Sequence, residues 1–254
     1  MKKNLFFLFA LICSVSLFTA CSDDDDNKGG DENLISGPMV GTWQLAEPRY
    51  ESSSIEGEII KEGAVKLTWE APAGVTLTVM GIPMPLPTIA QLAERFTNPM
   101  IYDVLKDITL GVDGNILATY GEKNEATGQI EWKESEVGYA TWQKVDDSKI
   151  LVFLNLEKIM GSMTKADQNA LTELLQLVKN GIPVNVRYDE QQNPYFFIDK
   201  ALVAKIAPLA AQLADLIPDS ALDGMAGMLK GILKELPNVM EKTTKFEAGL
   251  QMKK

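Results

Sequence analysis

The sequence predicts an α+β protein in which an antiparallel sheet dominates. Segments of alternating apolar and polar residues recur from residue 39 onward, and turn sequences such as Asp113-Gly114 separate them. Longer stretches with helical apolar spacing interrupt this series at three to four places. Hydrophobic residues make up 46% and charged residues 23% of the 254 residues, as in a folded globular protein.

The alternating pattern predicts roughly ten to twelve strands. The clearest are residues 40–45, 58–69, 75–79, 108–112, 116–120, 129–133, 137–145, 149–156, 182–188 and 195–198, with a closing strand at 246–252. Three prolines lie between Gly81 and Pro87, and we expect this segment to end a strand because proline cannot donate to a ladder.

Helical insertions are predicted at residues 88–106, 164–180 and 200–236. In the first of these, Thr88 is the expected N-cap, and Pro99 is expected to break or kink the helix. Low-complexity linkers are not found within residues 37–254, and these residues are therefore predicted to form a single domain.

The N-terminal region has the features of a secretory signal. Lys2 and Lys3 precede an apolar run from Leu5 to Phe18, which is too short to span a bilayer comfortably. The sequence Phe18-Thr19-Ala20-Cys21 resembles the lipobox of bacterial lipoproteins. That resemblance implies a signal peptide at 1–20, lipidation of Cys21 and anchoring in a membrane. A plain secretory signal is the alternative.

Residues 21–36 are predicted to form an acidic tether behind the lipidated cysteine. The acidic run Asp23–Asp26 resembles the surface-export signal of lipoproteins in certain Gram-negative gut anaerobes. This implies an outer-membrane protein that faces the medium, and the alternative is a periplasm-facing protein.

Composition excludes several classes of activity. The chain has 24 basic and 35 acidic residues, a formal charge of −11, which argues against nucleic-acid binding. It contains no histidine, which removes histidine-based triads and metal ligands, and its two cysteines are Cys13 in the signal and Cys21. Nucleotide-binding motifs are missing too. We therefore predict no enzyme, no cofactor and no metal site; a hydrolase that uses strand carboxylates ranks last.

Three short motifs resemble those of lipocalin-like bacterial lipoproteins. Gly41-Thr42-Trp43 resembles the Gly-x-Trp that begins the first strand of lipocalin-like barrels, where the tryptophan packs across the closed end. The hairpin Ile108–Asn115 and the segment Gly138–Trp142 fit the same family. The resemblance implies a β-barrel or strongly curved sheet that bears a cavity, with the helices as additions to the family's plan.

Two sets of residues are candidates for ligand contact. Met225, Met228 and Leu229 lie on an apolar helix that could cover an apolar pocket, although ordinary core packing also explains such a stripe. Tryptophans can stack on sugar rings, which makes candidates of Trp69, Trp132 and Trp142, although core filling explains them as well.

The sequence therefore leaves three functions open and does not determine the oligomeric state. The first is a non-enzymatic binder of a small apolar or amphipathic ligand. The second is a glycan-binding accessory of a saccharide-uptake system. The third is a structural or adhesive surface protein without a pocket.

Overall fold

The computed structural model of the chain describes residues 34–53, 57–79, 81–124, 126–155, 158, 180–214 and 226–254. Within these ranges the strands are β1 (Gly41–Leu45), β2 (Arg49–Ser53), β3 (Gly57–Glu62), β4 (Val65–Glu70), β5 (Thr76–Val79), β6 (Ile82–Pro85), β7 (Leu105–Leu110), β8 (Asn115–Lys123), β9 (Ile130–Glu134), β10 (Ala140–Asp146), β11 (Lys149–Leu154), β12 (Ile182–Tyr188), β13 (Pro194–Asp199) and β14 (Lys245–Lys253). The helices are α1 (Leu86–Val104), α2 (Lys200–Leu213) and α3 (Ala226–Lys242).

Eight of the strands form a closed antiparallel barrel. Their order is β1-β7-β8-β10-β11-β12-β13-β14, and β14 pairs with β1 to complete the circle. Neighbours in the barrel therefore follow one another along the chain once the insertions are set aside. The predicted α+β fold with a dominant antiparallel sheet is confirmed, and the sheet closes into the barrel that the family resemblance implied.

The two ends of the barrel differ because short and long connections alternate. Residues 111–114, 147–148 and 189–193 form tight turns at one end, which we call the hairpin end. The long connections, residues 46–104, 124–139, 155–181 and 200–244, all leave from the opposite end, which we call the insertion end. The described chain enters and leaves the barrel at the hairpin end.

Closure of the barrel depends on a fork along one edge of β14. Residues Lys245–Leu250 of this edge pair with β4, whereas the last residues pair with β1, Met252 opposite Leu45. The backbone of Gln251 serves both partners: its N–H donates to the Ala64 carbonyl (2.7 Å), and its carbonyl accepts from the Ala46 N–H (2.9 Å). The same edge of β14 therefore pairs with the inserted strand β4 and with β1, which closes the barrel.

A row of polar side chains on α1 covers the free edge of β4. The Asn98 side chain accepts from the Val65 N–H (2.8 Å) and donates to the Val65 carbonyl (3.1 Å), as a neighbouring strand would. One turn earlier, the Glu94 carboxylate accepts from the Leu67 N–H (2.6 Å). Residues four apart lie on one face of a helix, so the row can follow a strand edge. The edge is therefore closed to pairing with another strand.

The same row also bridges the two arms of the fork. The Tyr102 hydroxyl accepts from the Ala64 N–H (2.9 Å) and donates to the Ala46 carbonyl (2.7 Å). A Cβ atom at Gly63 would lie 2.0 Å from Oδ1 of Asn98, so glycine is needed for the close approach of α1. The helix is accordingly wedged between β1 and β4 at the point where they diverge.

Several predicted boundaries are corrected by the structure. Helix α1 begins at Leu86 with Pro85 as its N-cap rather than Thr88, and it continues through Pro99 without interruption. The hydrogen bonds of Glu94, Asn98 and Tyr102 hold the helix on both sides of that proline.

The other predicted helical insertions are placed in part. Residues 200–236 contain α2 and most of α3, which extends to Lys242. The predicted helix at 164–180 lies outside the described residues except for its last position. The proline-rich segment does end β5, but it also forms β6, where Pro83 lies opposite Thr78. Proline is tolerated there because a two-stranded edge does not require every N–H to donate.

We predict that Asn98→Ala lowers the free energy of unfolding by about 2–3 kcal/mol, because the substitution leaves both backbone groups of Val65 without their partner. Urea denaturation followed by circular dichroism measures this change. The control is Gln91→Ala on the exposed side of the same helix, which is expected to change stability by less than about 0.5 kcal/mol. Equal effects of the two substitutions would contradict the role given to Asn98.

Candidate functional site

The interior of the barrel contains a small apolar cavity. Its volume is about 30 Å³. The lining side chains are all apolar and come from six strands: Ile108, Leu110, Ile116, Ile150, Val152, Val184, Phe196 and Leu250. Ligand pockets usually have volumes of about 300–1,000 Å³, so this cavity is roughly tenfold too small for an organic ligand. Eight-stranded barrels can be filled by side chains, and this cavity is what remains after such filling.

Two buried tryptophans fill the barrel near its hairpin end. Trp43 is the register partner of Ile108, and Trp142 is that of Val152, so both indoles face the interior with the residues that line the cavity. The Trp43 ring donates to the Met39 carbonyl (2.8 Å), and the Trp142 ring donates to a backbone carbonyl in the adjacent turn. Trp142, a predicted ligand residue, is therefore a buried interior residue of the barrel.

Trp69 lies at the insertion end. Its ring packs edge-to-face on Phe246 with centroids 5.3 Å apart, and its N–H donates to the buried Thr243 hydroxyl (2.9 Å). Leu229 is buried in the same hydrophobic core, on α3. Met225 lies outside the described residues, and so does the side chain of Met228. Of the three residues predicted to cover an apolar pocket, Leu229 is therefore the one whose side chain the structure describes.

Trp132 lies on the outer surface of the barrel. It is in the middle of β9, where it is the register partner of Gly121 on β8, and 43% of its surface is exposed. Glycine puts no side chain opposite the indole on β8, and the end of α1 occupies the space where a Cβ atom of Gly121 would lie. Of the three predicted tryptophans, this one alone presents an indole to solvent.

A row of polar side chains crosses the outer surface beside Trp132. Gln44, Asp107, Thr119 and Glu134 are consecutive register partners on β1, β7, β8 and β9. They face outward because the chain neighbours of Gln44 and Asp107, Trp43 and Ile108, face inward. Four strands spaced by about 4.8 Å give the row a length of about 14 Å, roughly three sugar rings. Together with Trp132 these side chains form what we call the outer-face site.

Helix α1 supports the outer-face site from one side. A Cβ atom at Gly121 would lie 2.1 Å from the backbone oxygen of Asp103, so glycine is required where the end of α1 meets β8. On the opposite face of β9, the Lys133 ammonium pairs with the Glu122 carboxylate. This hydrogen bond and the attraction between the two charges raise the pKa of Lys133. The end of α1 therefore packs on β8, and the ion pair joins β9 to β8 on the face opposite Trp132.

The outer-face site has the groups that polyhydroxylated ligands require. Carboxylate, amide and hydroxyl side chains can accept or donate hydrogen bonds to sugar hydroxyls, and the electron-rich face of an indole can attract the C–H groups of a sugar ring. Both charged residues of the row, Asp107 and Glu134, are acidic, and Lys253, the partner of Gln44 on β14 beyond the end of the row, is paired with Glu47. A neutral ligand therefore fits better than an anionic one. Groups of three or more potential metal-ligating side chains do not occur among the described residues.

Sequence reasoning identified Trp132 but missed three residues of the row. Gln44, Asp107 and Thr119 each occupy the polar position of an alternating strand, which indicates only that they face outward. Their alignment depends on the register of four strands, for which the sequence holds no local signal. Glu134 is close enough along the chain to be associated with Trp132 from sequence.

Comparison with protein families, curated proteins and solved structures finds no match to this chain. The described helices do not combine the length and the apolar character that a membrane crossing requires.

We predict that Val184→Ile raises the free energy of unfolding by up to about 1 kcal/mol, because the added methyl group enters the interior cavity. The control is Val186→Ile on the same strand, a buried position that does not line the cavity. Overpacking there is expected to cost about 1–3 kcal/mol. Chemical denaturation measures both changes, and equal destabilisation would show that the cavity cannot accept a methyl group.

Proposed function

We propose that this protein is a non-enzymatic carbohydrate-binding protein and that its ligand contacts the outside of the barrel. The observation that carries the proposal is the exposed indole of Trp132 beside the outward-facing polar row of the outer-face site. In this arrangement the ring would stack on one sugar while the row binds the hydroxyls of neighbouring units. The barrel then acts as a rigid scaffold.

Charge defines the class of carbohydrate. Asp107 and Glu134 are acceptors for hydroxyl groups, and the whole chain carries a formal charge of −11. Both features disfavour polysaccharides rich in carboxylate or sulfate groups. The proposed ligand is therefore a neutral oligosaccharide or polysaccharide chain.

An apolar ligand inside the barrel has less support. The described interior cavity of about 30 Å³ has room for one or two water molecules, and its apolar lining gives water no hydrogen-bond partner. Leu229, one of the residues predicted to cover such a pocket, is buried in the hydrophobic core. The geometry therefore favours the glycan-binding alternative from the sequence over the apolar-ligand one.

We also propose that the protein is a lipoprotein of the outer membrane, related in architecture to lipocalin-like barrels. The lipobox-like Phe18–Cys21 and the acidic run after it support anchoring and surface exposure. The eight-stranded order and the buried Trp43 on the first strand support the architectural relation. Anchoring on the outside of the outer membrane would expose the outer-face site to saccharides in the medium.

We predict that Trp132→Ala weakens carbohydrate binding by about tenfold or more, because it removes the stacking surface. Native electrophoresis in gels that contain starch, xylan or galactomannan measures binding as retardation, and a polygalacturonate gel provides the acidic comparison. We expect retardation in at least one neutral gel and none in the acidic gel.

The matched control is Tyr50→Ala, which removes another exposed aromatic ring, on β2 outside the outer-face site. This variant is expected to bind as the unaltered chain does. Absence of retardation in every neutral gel at high polysaccharide concentration would refute the proposed function. Equal loss in both variants would show that the outer-face site is not where binding occurs.

A further inference from the structure

Three exposed apolar side chains occur at the hairpin end of the barrel. Leu34, Val112 and Val145 are between 44% and 56% exposed. Val112 is in the turn between β7 and β8, and Val145 is beside the turn between β10 and β11. We call these three residues the hairpin-end patch.

Hydrogen bonds connect the segments of the chain that carry these three residues. The Ile35 N–H donates to the Val112 carbonyl (2.8 Å), which holds the residue after Leu34 against the first turn. The ammonium group of Lys144 donates to the Ser36 carbonyl (3.2 Å), which holds the same segment against β10 next to Val145. The entering chain therefore contacts both turns that carry the exposed residues.

The patch lies where the proposed tether meets the barrel. Leu34 is thirteen residues after Cys21 in the sequence. A tether of that length with the flexibility that the sequence predicts has a root-mean-square span of about 20 Å. Lipidation at Cys21 would thus hold the hairpin end close to the membrane and give it a high effective concentration there, so that even a weak contact would be populated.

We propose that the hairpin-end patch rests on the lipid surface and orients the barrel with its insertion end away from the membrane. This inference rests on the proposed anchoring at Cys21 and is independent of carbohydrate binding. The apolar side chains contact the interfacial region, while the lipid chains on Cys21 provide the anchor itself. The contact fixes which end of the barrel faces the medium.

Charge near the patch specifies the lipid. Asp113 accepts hydrogen bonds from the backbone and side chain of Asn115, and Asp146 accepts them from Ser148. These hydrogen bonds lower the pKa of both carboxyl groups, which therefore stay charged at neutral pH. The same turns also carry Lys144, which pairs with Asp147 (2.7 Å), and Lys149, whose charge acts on Asp146. With three carboxylates and two ammonium groups at these turns, the expected partner is a zwitterionic surface rather than an anionic one.

Single labelled cysteines in the full-length lipoprotein provide the test. The chain contains only Cys13 and Cys21, neither of which is a free thiol after processing and lipidation, so Val112→Cys and Val145→Cys each supply a unique label site. The control is Ile82→Cys, also exposed, on the β5–β6 hairpin. That hairpin is tied to α3 at the insertion end by the hydrogen bond from the Thr78 N–H to Glu235 (3.0 Å).

The lipidated variants are placed in phosphatidylcholine vesicles that contain lipids with a nitroxide on the headgroup. We expect fluorophores at positions 112 and 145 to be quenched at least about threefold more than one at position 82. Vesicles of phosphatidylglycerol are expected to reduce the quenching at 112 and 145, and an increase would overturn the assignment to a zwitterionic surface.

Flotation of the vesicles separates the two proposals. Protein that floats with the vesicles but shows equal quenching at all three positions would refute the orientation while leaving the anchor intact. Protein that does not float would refute the anchoring, and the orientation would fail with it.

Discussion

The fork in β14 is the constraint on which the rest of the structure depends. One edge of this strand pairs with β4 over Lys245–Leu250 and with β1 at its last residues. The inserted segment and the closure of the barrel therefore both use backbone groups on the same edge of β14. The change of partner occurs at Gln251, whose backbone N–H donates to Ala64 and whose carbonyl accepts from Ala46. The gap that opens between β1 and β4 is filled by Asn98 and Tyr102 of α1. Without this wedge, the unpaired groups at Ala64 and Val65 would face the cost of burial without hydrogen bonds.

The alternation of short and long connections makes the two ends of the barrel different. Three tight turns form the hairpin end, whereas every long insertion leaves from the other end. Trp43 and Trp142 fill the interior near the tight turns, and the part of the interior that the structure describes retains a cavity of about 30 Å³ among apolar side chains. The site proposed for carbohydrate therefore lies on the outer surface.

The three candidate tryptophans show how far the site could be predicted. Trp69, Trp132 and Trp142 each lie in an alternating strand, and the sequence around them offers no way to rank them. The tertiary structure decides the matter: Trp69 and Trp142 are buried, whereas Trp132 is 43% exposed. A tryptophan opposite a glycine is identified only when the register is known.

Local pattern alone determined most of the elements of this protein. Alternation with Asp-Gly and similar turns predicted the strands, and apolar spacing predicted the helices, because both signals arise from residues close together in the chain. Tertiary structure decided the closure of the barrel, the fork, and the alignment of Gln44 with Glu134, which lie ninety residues apart. It also kept α1 continuous through Pro99, since the hydrogen bonds of α1 to β4 outweigh the local preference of proline. Such features depend on contacts between distant segments, and no short window of sequence contains both partners.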